Sequence, residues 1–292
     1  MIFPDFSQFE CLAEQGNFIP VYQEWVADLD TPVSAWYRVC AKAPYSFLLE
    51  SVEGGEHLAR YSFLGCDPLW VLETRNDMST QTHREGHQET FKGNPLEILA
   101  NCLKPYKPVT LPELPSGIGG LFGFWGYEMI RWMEPRVPIH PAQPTDLPDG
   151  VWMQVDQLLI FDQVKRKILA VAYADLRQAT NLKEAYQNTC NSVNALVNKL
   201  QTPLDRKSIE LLHKTPQNLS APQYTSNVTK TQFCQQVDKA KEYIKAGDIF
   251  QVVLSQRLTI DYVGAPFDLY RSLRLVNPVS YTHLTLPTIY SV

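Results

Sequence analysis

The side chains in this sequence that are best arranged for chemistry lie on one strand-like segment near its C-terminal end. Ile249 to Ile260 alternates, so that Phe250, Val252, Leu254, Leu258 and Ile260 share one face. Gln251, Val253, Ser255, Arg257 and Thr259 share the other, which is polar enough to line a cavity. Gln251 is the residue of most interest there. A glutamine amide has no basic lone pair at neutral pH, so it can orient a bound molecule but cannot deprotonate water. Taken alone, it reads as a polar residue on a half-exposed strand.

Other reactive side chains are less organised. His83 and His87 have the spacing of two metal ligands on one helical face, but Glu85-Gly86 lies between them in a polar stretch that reads as a hairpin turn. His57, His140, His213 and His283 have no partners recognisable from sequence. The six cysteines, Cys11, Cys40, Cys66, Cys102, Cys190 and Cys234, are scattered without a close pair and read as reduced, mostly buried small hydrophobes.

The elements that must position these residues fall into two parts. Phe47 to Ser51, Glu56 to Gly65 and Trp70 to Arg75 are expected to form an antiparallel meander. Asn94 caps a helix with Pro95 at its first position and Leu96, Leu99, Cys102 and Leu103 turned inward. Gly117 to Tyr127 holds Gly119, Gly120, Gly123 and Gly126 among aromatics; it lacks the Gly-x-Gly-x-x-Gly pattern and reads as a buried strand where backbones approach closely. Gln157 to Asp162 and Lys167 to Ala174 form a strand pair. The helix after it, with Asn181 and Glu184 near its start, carries Leu182, Tyr186, Cys190, Val193, Val197 and Leu200 on one stripe.

From Gln201 to Asn227 the composition turns polar, with Pro203, Pro216 and Pro222, as in a linker. Thr229 and Gln232 then form a capping box, Phe233, Val237, Ala240 and Ile244 make an apolar stripe, and Gly247 supplies a left-handed stop. A further helix spans Pro266 to Val276. The expected fold class is α+β, with antiparallel sheets and packed helices in two lobes.

With 292 residues, 45% of them hydrophobic, the chain can bury a substantial core. A net charge of −5 argues against a nucleic-acid surface, and no apolar run reaches membrane-spanning length. The N-terminus has neither the basic start of a signal peptide nor the character of a transit peptide, which points to a cytoplasmic protein.

The run Ala240 to Arg257, together with Leu48-Leu49-Glu50-Ser51 and Arg60-Tyr61-Ser62-Phe63-Leu64-Gly65, resembles anthranilate synthase component I, of the chorismate-utilising enzymes. The likeness covers about Ile19 to Tyr173 and Thr229 to Pro278. It implies an N-terminal domain over 13–175, a linker over 201–227 and the start of a chorismate-binding domain over 228–278, in a two-lobed fold whose second lobe is truncated.

The activity it implies is conversion of chorismate and ammonia to anthranilate and pyruvate, with magnesium as cofactor and a glutamine amidotransferase subunit delivering the ammonia. In such enzymes a lysine at the position matching Gln251 goes with addition of water and a glutamine with addition of ammonia. The resemblance also makes Ser51, and secondarily Glu50, contacts for L-tryptophan as feedback inhibitor, a hydroxyl and a carboxylate holding its ammonium group. The family's Asn-Pro-Ser-Pro-Tyr-Met is replaced after Asn277-Pro278 by Val279-Ser280-Tyr281-Thr282, leaving Tyr281 as the one residue there that could still align. Residues 279–292 resemble translated linker or adapter sequence, and the magnesium ligands are expected in a segment beyond them, so the chain alone is expected to be inactive. The alternatives are aminodeoxychorismate synthase component I and a non-catalytic module for tryptophan binding or subunit docking.

Overall fold

A computed structural model describes residues 1–50, 60–115, 118, 120–134, 136–137, 147–204 and 223–276. The chain divides into two compact units, Met1–Asp205 and Arg206–Val292.

In the first unit, β1 (Ile2–Phe3), β2 (Phe18–Val26), β3 (Ser46–Glu50), β4 (Tyr61–Cys66), β10 (Gln157–Asp162) and β11 (Lys167–Asp175) form a six-stranded antiparallel sheet of order β1-β2-β11-β10-β4-β3. A second, five-stranded sheet has the order β7-β6-β5-β9-β8. It is built from β5 (Trp70–Arg75), β6 (Met78–His83), β7 (Gln88–Lys92), β8 (Leu121–Trp125) and β9 (Gly150–Gln154).

Both faces of the larger sheet are buried, which is why its central strands read as continuous apolar runs. Leu159, Phe161, Ile168, Ala170 and Ala172 face one way. They pack against Phe9 of α1 (Phe6–Ala13), Ala35 and Val39 of α2 (Pro32–Val39), and Val193, Leu196 and Leu200 of a long helix, Leu182–Gln201. Leu158, Ile160, Leu169 and Val171 face the other way and meet Val71, Phe122 and Met153 of the smaller sheet. The outer face of that sheet carries α3 (Pro95–Leu103), where Cys102 reaches Gln81 at 3.6 Å. Helices, sheet, sheet and helix therefore stack as layers around two cores.

Local signals account for several of these elements. Asn181 caps the long helix through Lys183 and Glu184, and Asn94 caps α3 through the Leu96 amide. His83 and His87 close a hairpin in which the His83 amide donates to the His87 carbonyl and Gly86 has φ 89°.

Three expectations need correction. The meander stops after β4, because β5 leaves for the other sheet, where it pairs with β6 and β9. The glycine-rich strand is not buried: β8 is an edge strand whose Phe124 is 51% exposed. Its close approach is real, since a Cβ on Gly123 would run into the Val151 carbonyl of β9. Leu182 is 38% exposed and stays out of its helix's apolar stripe, where Cys190, Val193, Leu196 and Leu200 are buried and Tyr186 and Val197 pack against the same core.

In the second unit the described residues form two helices, Lys230–Ala246 and Pro266–Val276, and a two-residue strand pair, Thr225–Ser226 with Leu258–Thr259. The Thr229–Gln232 capping box forms, and Gly247 ends its helix at φ 82°. The strand expected over Ile249 to Ile260 does not: only Leu258–Thr259 pairs. A ladder needs neighbours for its amides and carbonyls, and the described residues of this unit offer one short partner. The stripe of Phe233, Val237 and Ala240 is half-buried, and Ile244 is exposed.

Candidate functional site

Glu50 ends β3, the edge strand of the six-stranded sheet, and its Cα partner across the ladder is Ser62. Alternation puts Leu48 and Glu50 on the face turned to the helices, where Leu48 packs against the core, and Leu49 on the opposite face, 52% exposed. Glu50 itself is half-buried, while Ser62 is buried and its hydroxyl has no hydrogen-bond partner among the described residues.

The start of β4 is fixed by charge. Arg60 grips Asp162 with Nη2 at 2.7 Å and Nε at 3.1 and 3.2 Å from the two carboxylate oxygens. Asp162 also accepts from the amides of Val164 at 3.1 Å and Lys165 at 2.9 Å, closing the β10–β11 turn. Burial works against its charge; Arg60 and these amides outweigh burial and hold the carboxyl below the usual aspartate value. The Arg60–Gly65 motif thus secures the strand that carries Glu50's partner. At its far end Gly65 makes room for the Phe47 ring.

A cavity of about 550 Å³ opens at the other end of β3 and β4. Tyr45, Cys66, Asp67, Arg84 and Lys199 stand in its wall, with Leu158 and Leu196 behind them. Its volume is that of a small-molecule site. The Arg84 guanidinium is held by Asp156 and by the Asp67 and Pro68 carbonyls, and Tyr45 donates to Glu73 at 3.3 Å. Sequence reasoning missed this cavity, because its walls come from five separated stretches that share no local pattern.

Gln251 lies in the second unit, exposed, in a segment outside regular strand. Its neighbours at 250–253 are exposed as well, so the described residues build no cavity face there. Ser51 and Tyr281 lie outside the described residues, as do His57, His140, His213, His283, most of the 201–227 linker and all of 279–292. Among the described residues there is no group of three His, Cys, Asp or Glu side chains placed to hold a metal ion, and no helix long and apolar enough to cross a membrane.

Comparison with known proteins extends this picture. A family model described as chorismate binding enzyme matches residues 46–286. The chain is 63% identical over 284 residues to anthranilate synthase component 1 of Synechocystis, an alignment covering 96% of this chain and 56% of that protein. It is 37% identical to the protein of the same name from Acetivibrio thermocellus, covering 97% of this chain and 56% of the relative. Among solved structures, anthranilate synthase component I from Streptococcus pneumoniae superposes with a TM-score of 0.60 at 29% identity, covering 88% of this chain and 53% of that one. The chain spans about half the length of the relatives it matches.

Proposed function

Since the chain belongs to the chorismate binding enzyme family, we propose that it is part of the large subunit of an anthranilate synthase, acting with a glutamine amidotransferase subunit that supplies ammonia. The reaction joins ammonia to chorismate and yields anthranilate, pyruvate and water. The observation that carries this reading is the 63% identity, over nearly the whole chain, to a protein named anthranilate synthase component 1.

In this reading Gln251 orients chorismate or ammonia through its amide, which can both donate and accept but is not a base at neutral pH. Its exposure here leaves it free to meet residues supplied from elsewhere in a longer chain. Magnesium belongs to the proposed activity, but among the described residues no group of three His, Cys, Asp or Glu side chains is placed to hold it. Glu50 and Ser51 are proposed to take the ammonium group of L-tryptophan as a feedback inhibitor. Glu50's place at a strand end beside the Ser62 hydroxyl, which has no hydrogen-bond partner among the described residues, supports a polar recognition point there.

Product analysis of a chain extended to its relatives' length, supplied with chorismate, ammonia and magnesium, tests the reading. Anthranilate is the expected product. A 4-amino isomer that retains the enolpyruvyl group would assign the chain to the aminodeoxychorismate branch instead. For the inhibitor site, Ser51→Ala should raise the tryptophan concentration needed for half inhibition at least tenfold with turnover kept; an unchanged inhibition curve removes Ser51 from the site.

A further inference from the structure

Cys40 and Cys66, distant in sequence, are brought together by the β3–β4 ladder. Cys40 caps the C-terminal end of α2, and its carbonyl accepts from the Ala43 amide at 3.0 Å as the chain turns toward β3. The first residue of β3, Ser46, is the Cα partner of Cys66 at the end of β4. The Cys66 thiol lies 3.4 Å from the carbonyl of Val39, the residue before Cys40, and 3.7 Å from an Asp67 carboxylate oxygen, and both cysteines belong to one buried cluster. Both are buried, but their settings differ: Cys40 is fully enclosed, whereas Cys66, 7% exposed, stands in the wall of the 550 Å³ cavity with Asp67 and Lys199.

We propose that Cys66 and Cys40 form an oxidant-responsive dithiol, with Cys66 meeting hydrogen peroxide in the cavity and Cys40 resolving the product. The Cys66 thiolate attacks the peroxide oxygen, the O–O bond breaks, and Cys66 becomes a sulfenic acid as one water leaves. Cys40 sulfur then attacks the Cys66 sulfur, the S–O bond breaks, and a second water leaves with the Cys40 proton. Two thiols are oxidised to one disulfide and one peroxide is reduced to two waters. The bond formed ties the end of α2 to the end of β4.

The division of roles follows from the surroundings. The hydrogen bond from Cys40 pushes the Cys66 thiol down, with Lys199 adding to this and burial and Asp67 opposing it. The same hydrogen bond, and then burial, push the Cys40 thiol up. Cys66 is the sulfur that lines the cavity while Cys40 is shut off from it, so Cys66 is the one an oxidant can reach.

Peroxide treatment followed by non-reducing digestion and mass spectrometry tests the proposal on the wild-type chain. The expected product is a Cys40–Cys66 peptide pair two hydrogens lighter than its parts, formed in the folded protein and reversed by dithiothreitol. In Cys40→Ser, dimedone should trap a sulfenic acid on Cys66; in Cys66→Ser, no adduct should form on Cys40. Oxidation confined to the exposed Cys11 and Cys234, with Cys66 intact, would overturn the proposal. So would pairing of Cys66 with another cysteine, a disulfide that forms only after denaturation, or the absence of a trapped Cys66 in Cys40→Ser.

Discussion

Gly65 and Phe47 are partners across the β3–β4 ladder, and a Cβ at position 65 would lie 2.7 Å from the Phe47 ring. Phe47 in turn stacks on Phe122 of the other sheet, with centroids 3.9 Å apart and planes 10° from parallel. One absent side chain thus lets an aromatic bridge the two sheets. Gly65→Ala should cost about 1–3 kcal/mol of stability through overpacking. Urea denaturation measures this; an unchanged midpoint would mean that Phe47 yields freely.

This relationship shows what could and could not be read from sequence. The capping box and glycine stop of Lys230–Ala246 and the Asn181 cap of Leu182–Gln201 are local chemistry, and they were legible. So was the hairpin at Glu85-Gly86. The strand Phe18–Val26, at the interior of the larger sheet, was missed, because its first five residues are all buried and show no alternation, and Pro20 argues against a central strand. The short helices α1 and α2 span eight residues each, too few for periodicity, although Asp5-x-x-Gln8 is a capping-box signal that could have found the first. No pattern within Trp70–Arg75 says that it joins a different sheet from Tyr61–Cys66. Of the site, Glu50 was placed correctly at a strand end, while Gln251 was assigned to a ladder that the described residues do not form.

Asp162 offers a pH test. Its folded value is depressed, so its contribution is present above the ordinary aspartate value and is lost as pH falls through the lower, folded one. Asp162→Asn should lose about 1–3 kcal/mol near neutrality, since the Val164 and Lys165 amides and Arg60 lose a charged acceptor. The gap between variant and wild type should close as pH falls below the ordinary aspartate range. A gap that stays constant into acid would show that Asp162 acts through shape alone.

Tyr106 joins two elements through one hydroxyl, which accepts from Trp70 Nε1 at 2.9 Å and from Arg177 Nη2 at 2.9 Å. Trp70 is 2% exposed, so Tyr106→Phe orphans a buried indole N–H. The expected loss is about 1–3 kcal/mol, with the Arg177 stack on the ring, 3.8 Å from its centroid, retained. Thermal denaturation of Tyr106→Phe beside Tyr106→Leu separates the two contributions, and a Tyr106→Phe melting point equal to that of the wild type would place the stability in the ring rather than the hydroxyl.

Gln251 is exposed, so Gln251→Ala should change stability by less than about 0.5 kcal/mol. In a chain extended to its relatives' length, the same substitution should lower turnover, and Gln251→Lys should lower amination while introducing a base toward water. Variants that melt markedly lower yet aminate normally per folded molecule would make Gln251 a structural residue.

The most direct measurement is the stoichiometry of the reaction catalysed by the extended chain with chorismate, ammonia and magnesium. Anthranilate is followed by its fluorescence and pyruvate by a coupled reduction. An anthranilate synthase releases the two in equal amounts, and that is the result expected. Amination without pyruvate, or pyruvate without anthranilate, would contradict it.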